Sequence, residues 1–242
     1  MNGPGPRHGE YRLARLTSGD HFRECVDIQR VTWGDAMEIA PASVLQVSAK
    51  TGGFLAGAFD PSGTLAGFVW SLVGRFHGET VHWSHMLAVL PPARGMGLGL
   101  RLKQFQREEV LSDGIGAIYW TFDPLVARNA HLNLNRLGAQ VQEYAVNMYG
   151  PSQSPLHGLS DTDRLVVRWE LAGPRATAAA ATGDPRGMER IEIPVNVEAL
   201  LARGEDIDPW RQDVRDRFTS LLRRHYAVER FETPHYILRP PG

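Results

Sequence analysis

With a single cysteine, Cys25, among 242 residues, the chain can form neither an internal disulfide nor a cysteine-based zinc site. That excludes a disulfide-stapled secreted scaffold and points to a reducing compartment. An excess of one charge is missing too. Lys and Arg total 26 against 27 Asp and Glu, so no whole-chain field favours nucleic acid. No apolar run approaches the roughly 18–20 residues of a membrane helix. The opening MNGPGPRHGEYRLARL carries no apolar stretch of the signal-peptide kind. A cytoplasmic protein with neither nucleic-acid nor membrane partners is expected. The histidines fall in no recognisable ligand spacing, so no metal is expected, and Gly-Lys-Ser/Thr, which a P-loop needs, is absent.

What is present suits a globular fold. The chain is 43% hydrophobic, enough to bury a core, and its length fits one large domain with a smaller appendage. Residues 1–10 are rich in Gly, Pro and polar side chains and read as disordered. Tyr11–Leu16 reads as a strand. Thr17-Ser18-Gly19-Asp20 then starts a helix with Phe22, Val26, Gln29 and Trp33 at helical spacing. Strands are expected at Phe54–Phe59 and Thr64–Val73, joined by the turn Asp60-Pro61-Ser62-Gly63. A third strand, Thr80–Leu90, is stopped by Pro91-Pro92, which cannot donate ladder hydrogen bonds. A glycine-rich turn leads into a helix ending near Gly114. A buried strand at Ala117–Phe122, a helix at Leu125–Leu137 and strands at Ala139–Tyr149 and Arg164–Leu171 complete a mixed α/β core, residues 11–172.

The stretch 173–187, GPRATAAAATGDPRG, is the one clear shift of composition and reads as a flexible linker. Residues 188–242 then form a C-terminal β-α-β extension packed on the core. Its strand is Glu189–Val197, its helix begins at Asp208-Pro209, and Tyr226–Phe231 with Tyr236–Leu238 form a closing hairpin. That hairpin is expected to cover a sheet edge.

The segment that carries chemistry is HWSHMLAVLPPARGMGLGLRLKQFQ, residues 82–106. It orders a strand, a break, Arg-x-x-Gly-x-Gly and a helix. Such a turn aims successive backbone N–H groups outward at a helix N-terminus, where the dipole favours an anion. A Cβ there would block a diphosphate, and Arg94 at the mouth can add a charge-assisted contact. Gly95, Gly97 and Gly99 fit a dinucleotide fingerprint poorly, since G-x-G-x-x-G is needed. A glycine-rich start to a helix with no ligand is the plain alternative.

The strand ending Leu87-Ala88-Val89, followed by Arg94-Gly95-Met96-Gly97-Leu98-Gly99, resembles the acyl-CoA diphosphate loop of the GNAT superfamily of N-acyltransferases. The order of elements over residues 11–170 agrees with that family. WTFDPLVARNAHLNLNRLGA (Trp120–Ala139), DRLVVRWEL (Asp163–Leu171) and the C-terminal extension resemble one subgroup of acetyltransferases within it. The resemblance implies a splayed mixed sheet flanked by helices. It also implies acetyl-CoA or another acyl-CoA as co-substrate, and transfer of an acetyl or succinyl group to a primary amine by direct attack in a ternary complex. Amino acids are among the acceptors so implied. A non-catalytic CoA-binding or protein-interaction module on the same fold is the alternative. Whether the chain forms a homodimer is left open.

Family correspondence assigns carbonyl polarisation to backbone N–H groups at Leu87, Ala88 and Val89. For proton acceptance the candidate is His85, four residues before Val89, because a neutral imidazole can accept a proton near pH 7. A structural, hydrogen-bonded histidine is the alternative there. His82 falls on the opposite strand face if no bulge intervenes. Glu79 and Asp123 are further candidates, each also readable as a solvated or turn carboxylate. The family's tyrosine acid is replaced here by Leu134, four residues before Gly138, so the general acid is unassigned. Tyr144 and Tyr149 lie nearby but read as packing residues. The resemblance implies an asparagine beside the pantetheine arm, for which Asn129 is the nearest candidate, with a local cap as the alternative. Asn129, Asn133 and Asn135 together imply compensating hydrogen bonds, since Asn is a poor helix former. Arg128 and Arg164 could grip a substrate carboxylate, with a surface ion pair as the alternative for each.

Overall fold

The computed structural model describes residues 10–34, 39–150, 163–172 and 187–242. The N-terminal segment 1–9 and nearly all of the expected linker lie outside them. The chain divides into two compact units, Met1–Tyr119 and Trp120–Gly242.

In the first unit, β1 (Arg12–Arg15) precedes α1 (Gly19–Trp33). Ser18 caps α1, its side chain accepting a hydrogen bond from the His21 N–H at 3.2 Å, which satisfies one of the helix's orphan donors. A second helix, α2 (Ala42–Lys50), was not expected. Its Leu45 is buried while Val44 and Val47 face outward, so no apolar stripe marks it. Then come β2 (Phe54–Phe59), β3 (Leu65–Phe76), β4 (Glu79–Val89), α3 (Leu98–Ser112) and β5 (Ala117–Phe122). The strand order is β1-β2-β3-β4-β5. Pairing is antiparallel up to β4 and parallel between β4 and β5.

Alternation sorts the strand side chains onto two faces. Leu55, Phe68, Trp70, Met86 and Ala88 join Phe22, Cys25, Ile28 and Leu45 in the core under α1 and α2. The other face lies under α3, where Phe54 meets Phe105 edge-on at 5.8 Å. Gln29 is fully buried in α1 and exchanges two hydrogen bonds with the backbone of Ala40, at 2.8 and 3.2 Å. These hold the chain leading into α2.

Gly53 sits in a crowded position with no room for a Cβ. A Cβ there would lie 2.2 Å from the Ser48 hydroxyl, 2.7 Å from the Ser48 carbonyl oxygen and 2.8 Å from that of Ser71. Two of the three are backbone and cannot swing aside. Gly53→Ala is therefore expected to destabilise the fold by about 2 kcal/mol through overpacking. Urea unfolding would show this as a lowered midpoint, and an unchanged midpoint would refute it.

The second unit continues from the end of β5. A short α4 (Ala127–Ala130) widens into a π-helical segment, His131–Arg136, where one straight helix was expected. β6 (Gln140–Ala145) and β7 (Arg164–Glu170) pair antiparallel, in the order β5-β7-β6. The extension is richer than β-α-β. It comprises β8 (Glu189–Glu192), α5 (Val197–Ala202), α6 (Asp208–Arg223), β9 (Ala227–Glu232) and β10 (His235–Arg239). Its strands form a separate sheet, β8-β10-β9. The closing hairpin thus pairs with Glu189–Glu192 rather than lengthening the large sheet.

Within this unit the extension docks through specific bonds. Asn135 exchanges two hydrogen bonds with the backbone of Phe231, at 2.7 and 3.0 Å. Tyr236 donates to the Pro124 carbonyl at 2.7 Å. The buried Asp163 carboxylate accepts from Tyr144 at 2.8 Å and from two nitrogens of Arg215 at 2.7 and 2.8 Å. Among the described residues, no helix is long and apolar enough to cross a membrane.

Candidate active site

The strand named by the sequence motif is interrupted where its chemistry was expected. Trp70 of β3 faces Met86 of β4, but the next residue, Ser71, faces Ser84. His85 is the extra residue of a β-bulge, a feature that re-aims side chains and recurs next to active sites. Before the bulge, Ser84 points toward α3, where it bonds Lys103 and Gln106. After it, Met86 and Ala88 enter the core beneath α1 and α2. His85 itself turns to the α1/α2 face and packs edge-on against Trp70, ring centroids 5.2 Å apart. It keeps contact with solvent, yet partial desolvation lowers its pKa below the usual imidazole value.

His82 lies on the other face, as expected, because strand alternation runs unbroken from His82 to Ser84 and the bulge begins only at His85. It is fully buried, and its Nδ1 shares a 2.7 Å hydrogen bond with the Ser71 hydroxyl. Burial pushes its pKa down to about 4, and its Nε2 finds no partner among the described residues. It is a buried neutral histidine, not the exposed base.

Beneath β4 lies a polar cluster that sequence reading missed. Lys103 is 2% exposed and donates to the Ser84 hydroxyl at 3.0 Å and to Gln106 Oε1 at 2.8 Å. Desolvation lowers its pKa well below that of an ordinary lysine. Its position on a helix otherwise rich in solvent-facing charge hid it.

The parallel ladder between β4 and β5 consists of His82↔Ile118 and Trp83↔Tyr119. Past Trp83, β4 has no ladder partner on that side among the described residues. Leu87, Ala88 and Val89 pair with Val69, Phe68 and Gly67 on the other side.

Beyond β4, a 3₁₀ turn at Pro91–Ala93 leads into the glycine loop. Gly95 and Gly97 have φ of +78° and +71°, a left-handed backbone that side chains with a Cβ resist. Gly97 is the N-cap of α3, and no side chain caps that helix or places an acid in its first turn. The N-terminal N–H groups of α3 around Leu98 and Gly99 thus keep their capacity for an anion. A Cβ at Gly95 would meet nothing within 4 Å, so the loop's outer side is open; Met96 is half-buried beside it. Arg94 is exposed, and its Nε donates to the Val89 carbonyl at 3.0 Å. That bond fixes the base of the guanidinium at the mouth of the loop.

Residues 20–138 match the family described as Acetyltransferase (GNAT) family. They carry a GNAT acetyltransferase domain. The match runs from α1 through β4, the glycine loop and α3, and the domain class is that of N-acyltransferase enzymes. Solved structures agree in fold. A phosphinothricin acetyltransferase from Sinorhizobium meliloti, in complex with AcCoA, has a TM-score of 0.54 at 15% identity over 66% of this chain and 88% of that one. The ribosomal-protein-S18-alanine N-acetyltransferase from Escherichia coli scores 0.53 at 15% identity, over 68% and 96%. An aminoglycoside 6'-N-acetyltransferase complexed with coenzyme A scores 0.51 at 16%, over 67% and 98%. A search of curated proteins found no match to the chain.

The remaining candidates lie in the second unit and are mostly engaged there. Asn133 accepts from the Trp120 indole N–H at 3.1 Å, and Asn135 holds Phe231. Two of the three asparagines thus have structural duties. Asn129 is half-buried in α4, its N–H bonded to Val126. Arg128 pairs with Glu198 at 2.8 Å, with 69% of its side chain exposed, which is the surface ion pair weighed against a substrate role. Arg164 is buried. It stands 3.7 Å from Asp123, donates to the Asp163 carbonyl and stacks over Tyr149. Leu134 is buried. Tyr144 donates its hydroxyl to Asp163, and burial with that carboxylate drives its pKa far above the ordinary phenol range. It stays protonated and bonded, so it is no proton donor to a leaving thiolate.

Proposed function

We propose that the chain transfers an acetyl group from acetyl-CoA to a primary amine, with His85 as proton acceptor. The observation that carries this is the uncapped N-terminus of α3, opened by left-handed Gly95 and Gly97 directly after a strand bulged at a histidine. Oriented N–H groups and a helix dipole suit a diphosphate. The Arg94 guanidinium supplies a charge-assisted contact at the rim.

The stretch of β4 past Trp83, without a ladder partner toward β5 among the described residues, supports the chemical step. Backbone N–H groups at Leu87 and Val89, turned away from β3, are the donors that would serve a thioester carbonyl as its oxygen gains charge, whereas Ala88 is turned to β3. An amine attacks only when neutral, so its ammonium form must first lose a proton. His85, neutral at pH 7 because its pKa is lowered, is in the accepting form. The nitrogen lone pair then forms the C–N bond, the C–S bond breaks as the carbonyl re-forms, the cationic nitrogen gives up its second proton to solvent, and the departing thiolate takes a proton from solvent. Succinyl-CoA remains the competing donor and amino acids the competing acceptors.

A thermal-shift comparison of CoA, acetyl-CoA, succinyl-CoA and NAD tests the loop. A ligand at about 100 times its Kd adds about 2.7 kcal/mol of stability. CoA species should raise Tm and NAD should not. A response to NAD alone, or to none of the four, would overturn the assignment.

A further inference from the structure

The strand is held differently on the two sides of the bulge at His85. After it, Met86 and Ala88 are fixed by apolar burial beneath α1 and α2. Before it, Ser84 turns to α3 and closes a triangle of hydrogen bonds. Lys103 Nζ donates to the Ser84 hydroxyl at 3.0 Å and to Gln106 Oε1 at 2.8 Å. The Ser84 hydroxyl donates to the same Oε1 at 3.2 Å, and all three side chains are buried.

Taking an amine out of water costs stability, and a methionine would fill a similar volume without that cost. Packing alone therefore does not explain a lysine at this position. Burial favours its uncharged form, which carries two N–H donors, the number the triangle uses. The triangle also joins the two parts of the proposed site. Lys103 lies roughly 9 Å along the helix axis from Gly97, the N-cap of α3. Ser84 immediately precedes His85. A closed ring of three bonds leaves Ser84 one orientation, whereas a single bond to Gln106 would let it swivel, and the backbone entering the bulge with it.

We propose that Lys103 is a positioning residue for His85: through Ser84 it fixes the register of the bulge and so the placement of the imidazole. The inference rests on His85 as the proton acceptor, and it gives the lysine no contact with either substrate. Losing the link should slow the chemical step while leaving the glycine loop, and hence CoA binding, as it is.

The test compares Lys103→Met, Ser84→Ala and the double variant with the native protein. One readout is steady-state thiol release from acetyl-CoA with 2-phenylethylamine, putrescine and alaninamide. The other is NMR titration of the histidine rings, with His85→Gln assigning the His85 signals. Lys103→Met is expected to lower kcat about tenfold, less than the roughly 100-fold that a misplacement of about 1 Å can cost. KM for acetyl-CoA should stay within about twofold of native. Ser84→Ala should lose as much kcat, and the double variant no more than either, because both substitutions cut the same link. In each variant a looser fit against Trp70 should bring the His85 titration closer to 6.5, since desolvation is what lowers it. Ser84→Ala removes only a hydroxyl and carries the test should Lys103→Met fail to fold. An unmoved His85 titration, a kcat within about twofold of native, or additive losses in the double variant would overturn the proposal. Should none of the three amines be acetylated, the result would count against acyl transfer, and the ring titration would still decide the role of Lys103.

Discussion

His85→Gln is expected to lower kcat/KM for the amine at least 100-fold, within the range a general base contributes. Gln preserves bulk and polarity but cannot accept the ammonium proton. The native enzyme should lose activity on the acid side with an inflection below 6.5, because desolvation against Trp70 disfavours the imidazolium. The Gln variant should lack that inflection, while stabilisation by CoA stays as in the native protein, since the glycine loop is untouched. Near-native turnover across the pH range would remove His85 from the mechanism, whatever the loop binds.

Acid should unfold the first unit through His82. Its folded pKa of about 4 lies below the ordinary imidazole value, and desolvation is the main cause. Asp113 opposes the shift, while Arg15 and Lys103 reinforce it. The folded state therefore binds its proton later than the unfolded state. Stability from this residue is fully present above about pH 6.5 and is lost as pH falls to about 4. A shift of that size amounts to about 3 kcal/mol. His82→Gln retains a hydrogen-bonding group for Ser71 but does not titrate. Urea unfolding at pH 7 and pH 4 should show the native protein losing about 3 kcal/mol more than the variant. Parallel losses would show that the imidazole is not kept neutral by burial.

Legibility varied with the range of the forces involved. β2 and β5 were readable to the residue, since each is an unbroken apolar run bounded by turn signals. The glycine loop was equally legible, because the left-handed backbone at Gly95 and Gly97 favours glycine. α2 was not, because its exposed valines break the helical stripe. Three asparagines announced unusual bonding in α4, yet only contacts distant in sequence show which bonds: Asn133 to Trp120, Asn135 to Phe231.

The bulge at His85 draws the sharpest line between the two levels. Sequence alone determined the strand, the loop, α3 and the presence of a histidine four residues before the strand's end. Those are local matters of apolar patterning and of proline and glycine chemistry. Nothing in Trp83-Ser84-His85-Met86 marks an extra residue, since no glycine or proline stands there. The register shift follows from two partners drawing the same strand in opposite senses. Ser84 bonds Lys103 and Gln106 on α3, whereas Met86 and Ala88 must enter the core under α1 and α2. Alternation cannot satisfy both without one residue to spare. Tertiary packing therefore decided that His85, and not His82, faces the solvent-accessible side of the sheet. It also decided that Tyr144, read from sequence as a packing residue, bonds Asp163.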